Sequence, residues 1–321
     1  DLKLIEKINK LKIPYWYPTD ELPEGINTEQ PKRSHGVTHV HLFYTKRNLH
    51  VLSYLMDKIK EIGNKALEFL VQSYNLTHST KMSRIIFKKG NNKPILTSNQ
   101  TGTLYISSLP VEKNLISGIL NTKLNVIIRA LTKISGRNTI TTQSMTKLLN
   151  MPSNSIDYII TDPPFGANIN YSELSFLWES WLGVLTNNKT EAIMNSVQNK
   201  GLGDYQELMA ESFKEYYRIL KPGRWITVEF SNSKSSVWNA IQDAIQRAGF
   251  VIANVSALDK QQGSFKAVTT TTAVKQDLVI SAYKPTQQNI DQFKQQDHTN
   301  NSVWSFVSQH LNHLPVFIGN K

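Results

Sequence analysis

Thr161-Asp162-Pro163-Pro164-Phe165-Gly166 is the stretch of this chain whose residue types and spacing are most suited to chemistry. It follows Ser155-Ile156-Asp157-Tyr158-Ile159-Ile160, which reads as a buried strand, and precedes the apolar Leu174-Ser175-Phe176-Leu177-Trp178. A plain turn needs one breaker. Here two prolines fix several backbone angles at once and remove two amide donors. The strand end is thereby stiffened, so the Asp162 carboxylate and the Pro163 carbonyl can point at one target. Two adjacent acceptors suit an –NH₂ group, which offers two hydrogens. Phe165 adds a flat apolar face, and acceptors beside a stacking face describe a pocket for the exocyclic amine of a base. The plainer alternative is a rigid strand end with Phe165 in the core.

The elements that must position this corner alternate. Residues 138–142 read as a short strand and 155–161 as a buried one. Residues 173–185 read as a helix with Ser172 as N-cap, and 204–220 as an amphipathic helix stopped by Lys221-Pro222-Gly223. A strand over 225–230, a helix over 237–248 closed by Gly249, and strands over 250–256 and 277–283 complete the series. Such alternation predicts an α/β fold with a doubly wound, mostly parallel sheet. In such sheets ligands bind at the carboxyl ends of the strands, where Asp162 stands.

The first half is less regular. A helix is expected from about Thr45 to Ile62 and another over 111–131, with strand candidates at 84–87 and 102–106 around a basic turn. Residues 285–299 read as a polar linker, and 304–314 are apolar enough to dock.

Charge divides the chain in the same place. Residues 1–150 hold 22 Lys and Arg against 10 Asp and Glu, a net of +12, whereas residues 151–321 hold 14 against 15, a net of −1. A basic half of this kind suits a polyanion, most often nucleic acid; scattered surface lysines are the alternative. Eight histidines and no cysteine exclude disulfides and thiolate metal sites. No apolar run approaches membrane-spanning length and the first residues do not read as a leader, so a cytoplasmic location is expected.

Ile159-Ile160-Thr161-Asp162-Pro163-Pro164-Phe165 resembles the catalytic motif of S-adenosylmethionine-dependent DNA amino-methyltransferases in its D-P-P-[YFW] form, typical of adenine-N6 enzymes. The continuation Gly166-Ala167-Asn168-Ile169-Asn170-Tyr171-Ser172-Glu173-Leu174 is similar to one branch of bacterial adenine-specific DNA methylases. Tyr217-Arg218-Ile219-Leu220-Lys221-Pro222-Gly223 and Asp277-Leu278-Val279-Ile280-Ser281-Ala282-Tyr283 resemble later passages of class I methyltransferases.

The resemblance implies a Rossmann-like sheet with an antiparallel last strand and S-adenosylmethionine as cofactor. It also implies an amine-binding corner of Asp162, Pro163, Pro164 and Phe165, and methylation of adenine in DNA. An RNA or cytosine-N4 enzyme shares that amine chemistry. A DNA-binding subunit without catalysis, acting beside a restriction or modification subunit, is the rival from another class. Three segments are expected: a basic DNA-binding region over 1–137, a partial catalytic core over 138–285, and a linker with a C-terminal extension over 286–321.

The chain departs from the family in one respect. No F-x-G-x-G turn follows a strand; Gly201-Leu202-Gly203 stands in a polar loop. The expectation is that the first two strands, with that turn, lie upstream of Asp1, or that the cofactor site is lost. Gln143 and Ser144 match the place where the family meets the cofactor's adenosine. Tyr171, Phe265 and Lys266 are candidate substrate contacts, and Lys32, Arg33, Lys46 and Arg47 candidate phosphate contacts. The alternation of His39 and His41 fits one face of a strand better than a metal site, and no metal is expected. Tyr15, Trp16 and Tyr17, bounded by Pro14 and Pro18, suit base stacking or simple packing.

Overall fold

The computed structural model describes residues 2–87, 90, 93–167, 169–232, 234–259, 276–288, 290 and 291. Two compact units result: residues 1–140 with 170–189, and residues 141–169 with 190–321.

The first unit is largely helical. It contains α1 (Leu2–Lys10), α2 (Ile26–His35), α3 (Lys46–Ile62) and α4 (Lys65–His78). A hairpin of β1 (Arg84–Ile86) and β2 (Ile95–Thr97) follows, then α5 (Leu115–Gly118), α6 (Leu124–Leu131) and, after an excursion into the second unit, α7 (Tyr171–Leu182). Local chemistry sets the ends. Thr45 Oγ1 accepts from the Asn48 amide at 3.2 Å, and Asn64 Oδ1 accepts from the Ala66 amide at 2.9 Å, so α3 and α4 begin where caps stand. A π turn, Ile119–Lys123, joins α5 to α6. On a straight helix Ile119 and Ile127 would lie about 80° apart; the π turn absorbs a residue and lets both be buried. Gly118 is required there, since a Cβ would overlap Tyr74 Oη.

This unit's core combines Phe43, Leu52, Met82, Leu104, Ile106 and Leu177 with a buried polar thread. Trp181 Nε1 donates to Tyr44 Oη (2.9 Å), Tyr44 donates to Asn75 Oδ1 (2.9 Å), and Asn75 Nδ2 donates to Gln72 Oε1 (3.0 Å). Burial drives the Tyr44 phenol far above its ordinary pKa, so it remains a donor. On α7 the buried Glu173 carboxylate accepts from the Asn27 amide at 2.7 Å and from Asn27 Nδ2 at 3.1 Å, closing the first turn of α2. Gly25 leaves it room: a Cβ there would overlap the Glu173 carboxyl group.

The second unit is built on β3 (Ile156–Thr161), α8 (Leu202–Ile219), β4 (Leu220–Phe230), α9 (Ser235–Arg247), β5 (Val251–Asp259) and β6 (Gln276–Tyr283). Its strands run in the order β3-β4-β6-β5. β3 and β4 are parallel, with Ile159 opposite Ile226 and Thr161 opposite Val228, and β6 is antiparallel to both neighbours. The fold is therefore α/β, with the antiparallel last strand that the resemblance implies. Ile226, Val228 and Phe230 alternate along β4 and share one fully buried core with Ile280, Ala282, Phe213 on α8 and Ile241 on α9.

Several expectations are corrected. Residues 138–142 form no strand; they are irregular and exposed, and no described strand lies beside them to complete a ladder. Residues 102–106 are likewise irregular, because β1 takes Ile95–Thr97 as its partner. His39 makes one bridge to Glu21, and Val40–Phe43 then turns as a 3-10 helix in place of a strand. Lys221-Pro222-Gly223 lies inside β4, where the pairing slips between Ile156 and Tyr158 and Gly223 takes φ 74°. The unit boundary falls at 140/141, and residues 170–189 group with the first unit. The helices α1, α2 and α4 were not foreseen.

Candidate active site

The second unit holds β3 at both ends. At its entry, Arg218 on α8 donates to the carbonyls of Leu148 (2.8 Å) and Met151 (2.9 Å), while Glu215 accepts from the Leu148 amide at 2.8 Å. The Arg218 guanidinium bonded to Glu215 holds that carboxyl below its usual range. The buried Lys284 donates to Asn154 Oδ1 (2.7 Å) and to the carbonyls of Tyr217 (2.7 Å) and Leu220 (2.8 Å). Loss of hydration lowers its pKa, and three acceptors compensate the ammonium.

The exit is the Asp-Pro-Pro-Phe corner. Thr161 Oγ1 and Tyr216 Oη are 3.1 Å apart. Tyr205, fully buried on α8, donates to the Pro164 carbonyl at 2.7 Å. Asn232, buried just after β4, donates from Nδ2 to the Phe165 carbonyl at 2.8 Å, and its Oδ1 accepts from the Lys234 amide at 2.8 Å. The Met194 amide donates to the Gly166 carbonyl at 3.2 Å. Gly166 has φ 73°, and a Cβ there would lie 3.3 Å from Asn232 Nδ2, so this close approach needs glycine. Phe165 meets Phe230 edge to face, with centroids 5.4 Å apart, and Phe230 meets Trp238 in the same way at 4.9 Å.

The corner is thus tied down by its third, fourth and fifth residues. Among the described residues no hydrogen bond reaches the Pro163 carbonyl, while Asp162 is exposed and Phe165 half-buried. A rigid strand end with a carboxylate, a carbonyl and a ring beside one another can hold a planar amine.

The other sequence candidates are distributed. Tyr171 opens α7 and belongs to the first unit. Gln143 and Ser144 are exposed in an irregular stretch, where Ser144 Oγ lies 2.9 Å from Thr146 Oγ1. Phe265 and Lys266, the Thr269 to Thr272 run, and residues 304–314 lie outside the described residues. Lys32 binds Glu24 at 2.6 Å and the Pro23 carbonyl at 3.2 Å, Arg33 pairs with Glu29 at 3.4 Å, and Arg47 with Glu112 at 2.8 Å. Lys46 is in no ion pair among the described residues.

Sequence reasoning missed Tyr205, Asn232 and Lys284. Ser231-Asn232-Ser233 directly after a strand was a signal, because a polar triplet at a carboxyl strand end serves either as a cap or as a site wall.

The fold and corner define a class, an α/β domain whose parallel strand ends in a clamped Asp-Pro-Pro-Phe turn. Residues 156–313 match the model of the DNA methylase family. No curated protein matches the chain. Among solved structures, a Thermus thermophilus protein classed among DNA modification methylases is 14% identical, covers 47% of this chain and 56% of its own, and gives a TM-score of 0.27. The PvuII cytosine-N4-specific DNA methyltransferase is 14% identical, covering 46% and 51%, at 0.31. A SAM-dependent methyltransferase of Methanosarcina mazei is 11% identical, covering 52% and 80%, at 0.28. The chain spans between half and three-fifths of the length of the first two.

Proposed function

We propose that the Asp162–Phe165 corner binds the exocyclic amine of adenine in DNA, as the target half of a methyl transfer from S-adenosylmethionine. The carrying observation is the clamped corner, with the Pro164 and Phe165 carbonyls occupied by Tyr205 and Asn232 and the Pro163 carbonyl left as an acceptor beside Asp162. The amino lone pair of adenine is delocalised into the ring and makes a poor nucleophile. Hydrogen bonds from both N–H groups to Asp162 and the Pro163 carbonyl favour a pyramidal nitrogen and aim its lone pair outward. Positioning and electrostatics by groups already fixed in place supply the assistance. The base must leave the duplex to reach the corner, at a cost of a few kcal/mol, partly offset by stacking on Phe165.

S-adenosylmethionine supplies an electrophilic methyl when bound. The described residues do not themselves build a cradle for it, since Gln143 and Ser144 are exposed and no glycine-rich turn follows a strand. The role assigned to this chain's residues is therefore confined to the amine. The aspartate at 162 supports adenine over cytosine-N4, and a cytoplasmic location goes with DNA as the substrate.

Asp162→Ala, assayed for methyl transfer to DNA with radiolabelled S-adenosylmethionine and nucleoside analysis, should lower the rate about 100- to 1,000-fold while leaving cofactor affinity unchanged. A label found on cytosine would overturn the adenine assignment. An unimpaired variant would remove the corner from the chemistry.

A further inference from the structure

The first unit carries a feature that methyl transfer does not use. On α1, Lys3, Lys7 and Lys10 recur at one-turn spacing, and Lys12 follows. None of the four is in an ion pair among the described residues, unlike Lys32, Arg33 and Arg47. α1 is in contact with α3, along which Lys46, His50 and Tyr54 succeed one another at the same spacing.

The chain between these helices adds two rings. Tyr15 packs edge-on against Tyr54 (5.3 Å, 62°) and His50 (5.9 Å, 62°), which leaves Tyr54 42% exposed. Trp16 stands perpendicular to Trp181 at 6.1 Å and is 62% exposed. Its support is rigid, because Trp181 is buried and its Nε1 is bonded to Tyr44.

An exposed indole held on a fixed base presents a face that water solvates poorly. Where residues 1–150 carry a net charge of +12, the flat apolar groups that arrive with negative charge are nucleobases. Bases inside a duplex are already stacked on one another, so only unpaired bases can use such a ring. Lysines that track a backbone beside aromatic faces are the general solution for single strands.

We infer that Trp16 and Tyr54, with the Lys3, Lys7, Lys10 and Lys12 row, form a binding surface for single-stranded DNA, the rings stacking on unpaired bases and the lysines meeting phosphates. The inference rests on the reading of the first unit as the nucleic-acid-binding part. It does not depend on methyl transfer.

Fluorescence anisotropy of the full chain with a short fluorescein-labelled oligodeoxynucleotide, single-stranded or annealed to its complement, tests it. Trp16→Ala and Tyr54→Ala should each weaken single-strand binding about tenfold and leave duplex binding within about twofold. Trp16→Phe, which keeps a ring, should recover most of the loss. Replacing Lys3, Lys7 and Lys10 together by Gln should flatten the slope of log affinity against log salt by about 2 for the single strand. Wild-type protein with no single-strand affinity, or ring variants that bind the single strand as wild type does, would overturn the proposal. Equal losses for single strand and duplex would reduce the surface to a general polyanion face. Methyl transfer is read from the modified nucleoside and single-strand binding from anisotropy, so failure here and failure of the methyltransferase reading are separable.

Discussion

The two units solve the same packing problem with different materials. The second buries alternating apolar residues of a sheet beneath α8 and α9, and its polar clamps gather at the two ends of β3. The first has almost no sheet, and its helices are registered by buried polar contacts running through the core, from Trp181 to Tyr44, Asn75 and Gln72. A sheet carries its own backbone register, so side-chain hydrogen bonds are free to fix the Asp-Pro-Pro-Phe corner. Helices packed at irregular angles have no such ladder, and polar pairs then specify which face meets which. The difference teaches where substitutions should affect function and where they should affect only stability.

The strongest test is at the cores. Phe43 in the first unit and Phe213 in the second are fully buried, and each change to Ala should cost about 3–5 kcal/mol. Followed by hydrogen-exchange mass spectrometry in urea, each variant should lose protection chiefly in peptides of its own unit. Equal loss in both units from either variant would abolish the distinction.

Tyr44→Phe should destabilise by about 1–3 kcal/mol, because it leaves the buried Trp181 Nε1 without its acceptor. It should leave methyl transfer at permissive temperature close to wild type. Asn232→Ala should cost a similar or smaller amount of stability, about 1–2 kcal/mol, yet lower methyl transfer strongly, since the Phe165 carbonyl and the Gly166 turn lose their anchor. Thermal melts beside single-turnover rates compare the two; a fully active Asn232→Ala would detach the clamp from the chemistry.

The smallest effects concern pH. Burial, with Lys113 and Lys123 nearby, lowers the His78 pKa to about 4. The unfolded chain then binds a proton near the ordinary 6.5 that the folded chain refuses, so stability rises with pH between those values and falls as the pH drops through them. Glu215 acts in the same direction, with stability lost on acidification, but in a lower window. Its carboxyl is held low by Arg218, so its contribution is present above the ordinary carboxylate value of 4.5 and is lost only as the pH falls below it. Acid should therefore loosen the first unit before the second in urea titrations followed by unit-specific proteolysis, and His78→Gln should flatten the earlier change.

The sequence was legible where one short segment contains its own reason. Asp162-Pro163-Pro164-Phe165 needs no partner to be stiff, and the apolar alternation around Ile226, Val228 and Phe230 announces a strand with one buried face. Thr45 and Asn64 stand at helix starts as their side chains require, although only the first helix was anticipated. The clamps were not legible. Tyr205 reaches Pro164 across 41 positions and Asn232 reaches Phe165 across 67, and nothing near either residue names its partner. Residues 138–142 show the converse, a strand-like composition that stays irregular where no described strand pairs with it.

By itself the sequence determined most elements of the second unit, the charge division and the chemical character of the corner, because these depend on neighbours within a few residues. Tertiary structure alone decided that α7, which starts only six residues beyond Phe165, belongs to the helical unit through Glu173, Leu177 and Trp181. It also decided which corner carbonyls are taken, those of Pro164 and Phe165. Those outcomes depend on hydrogen bonds between residues far apart in the chain, whose partners are fixed only when helices and sheet have packed.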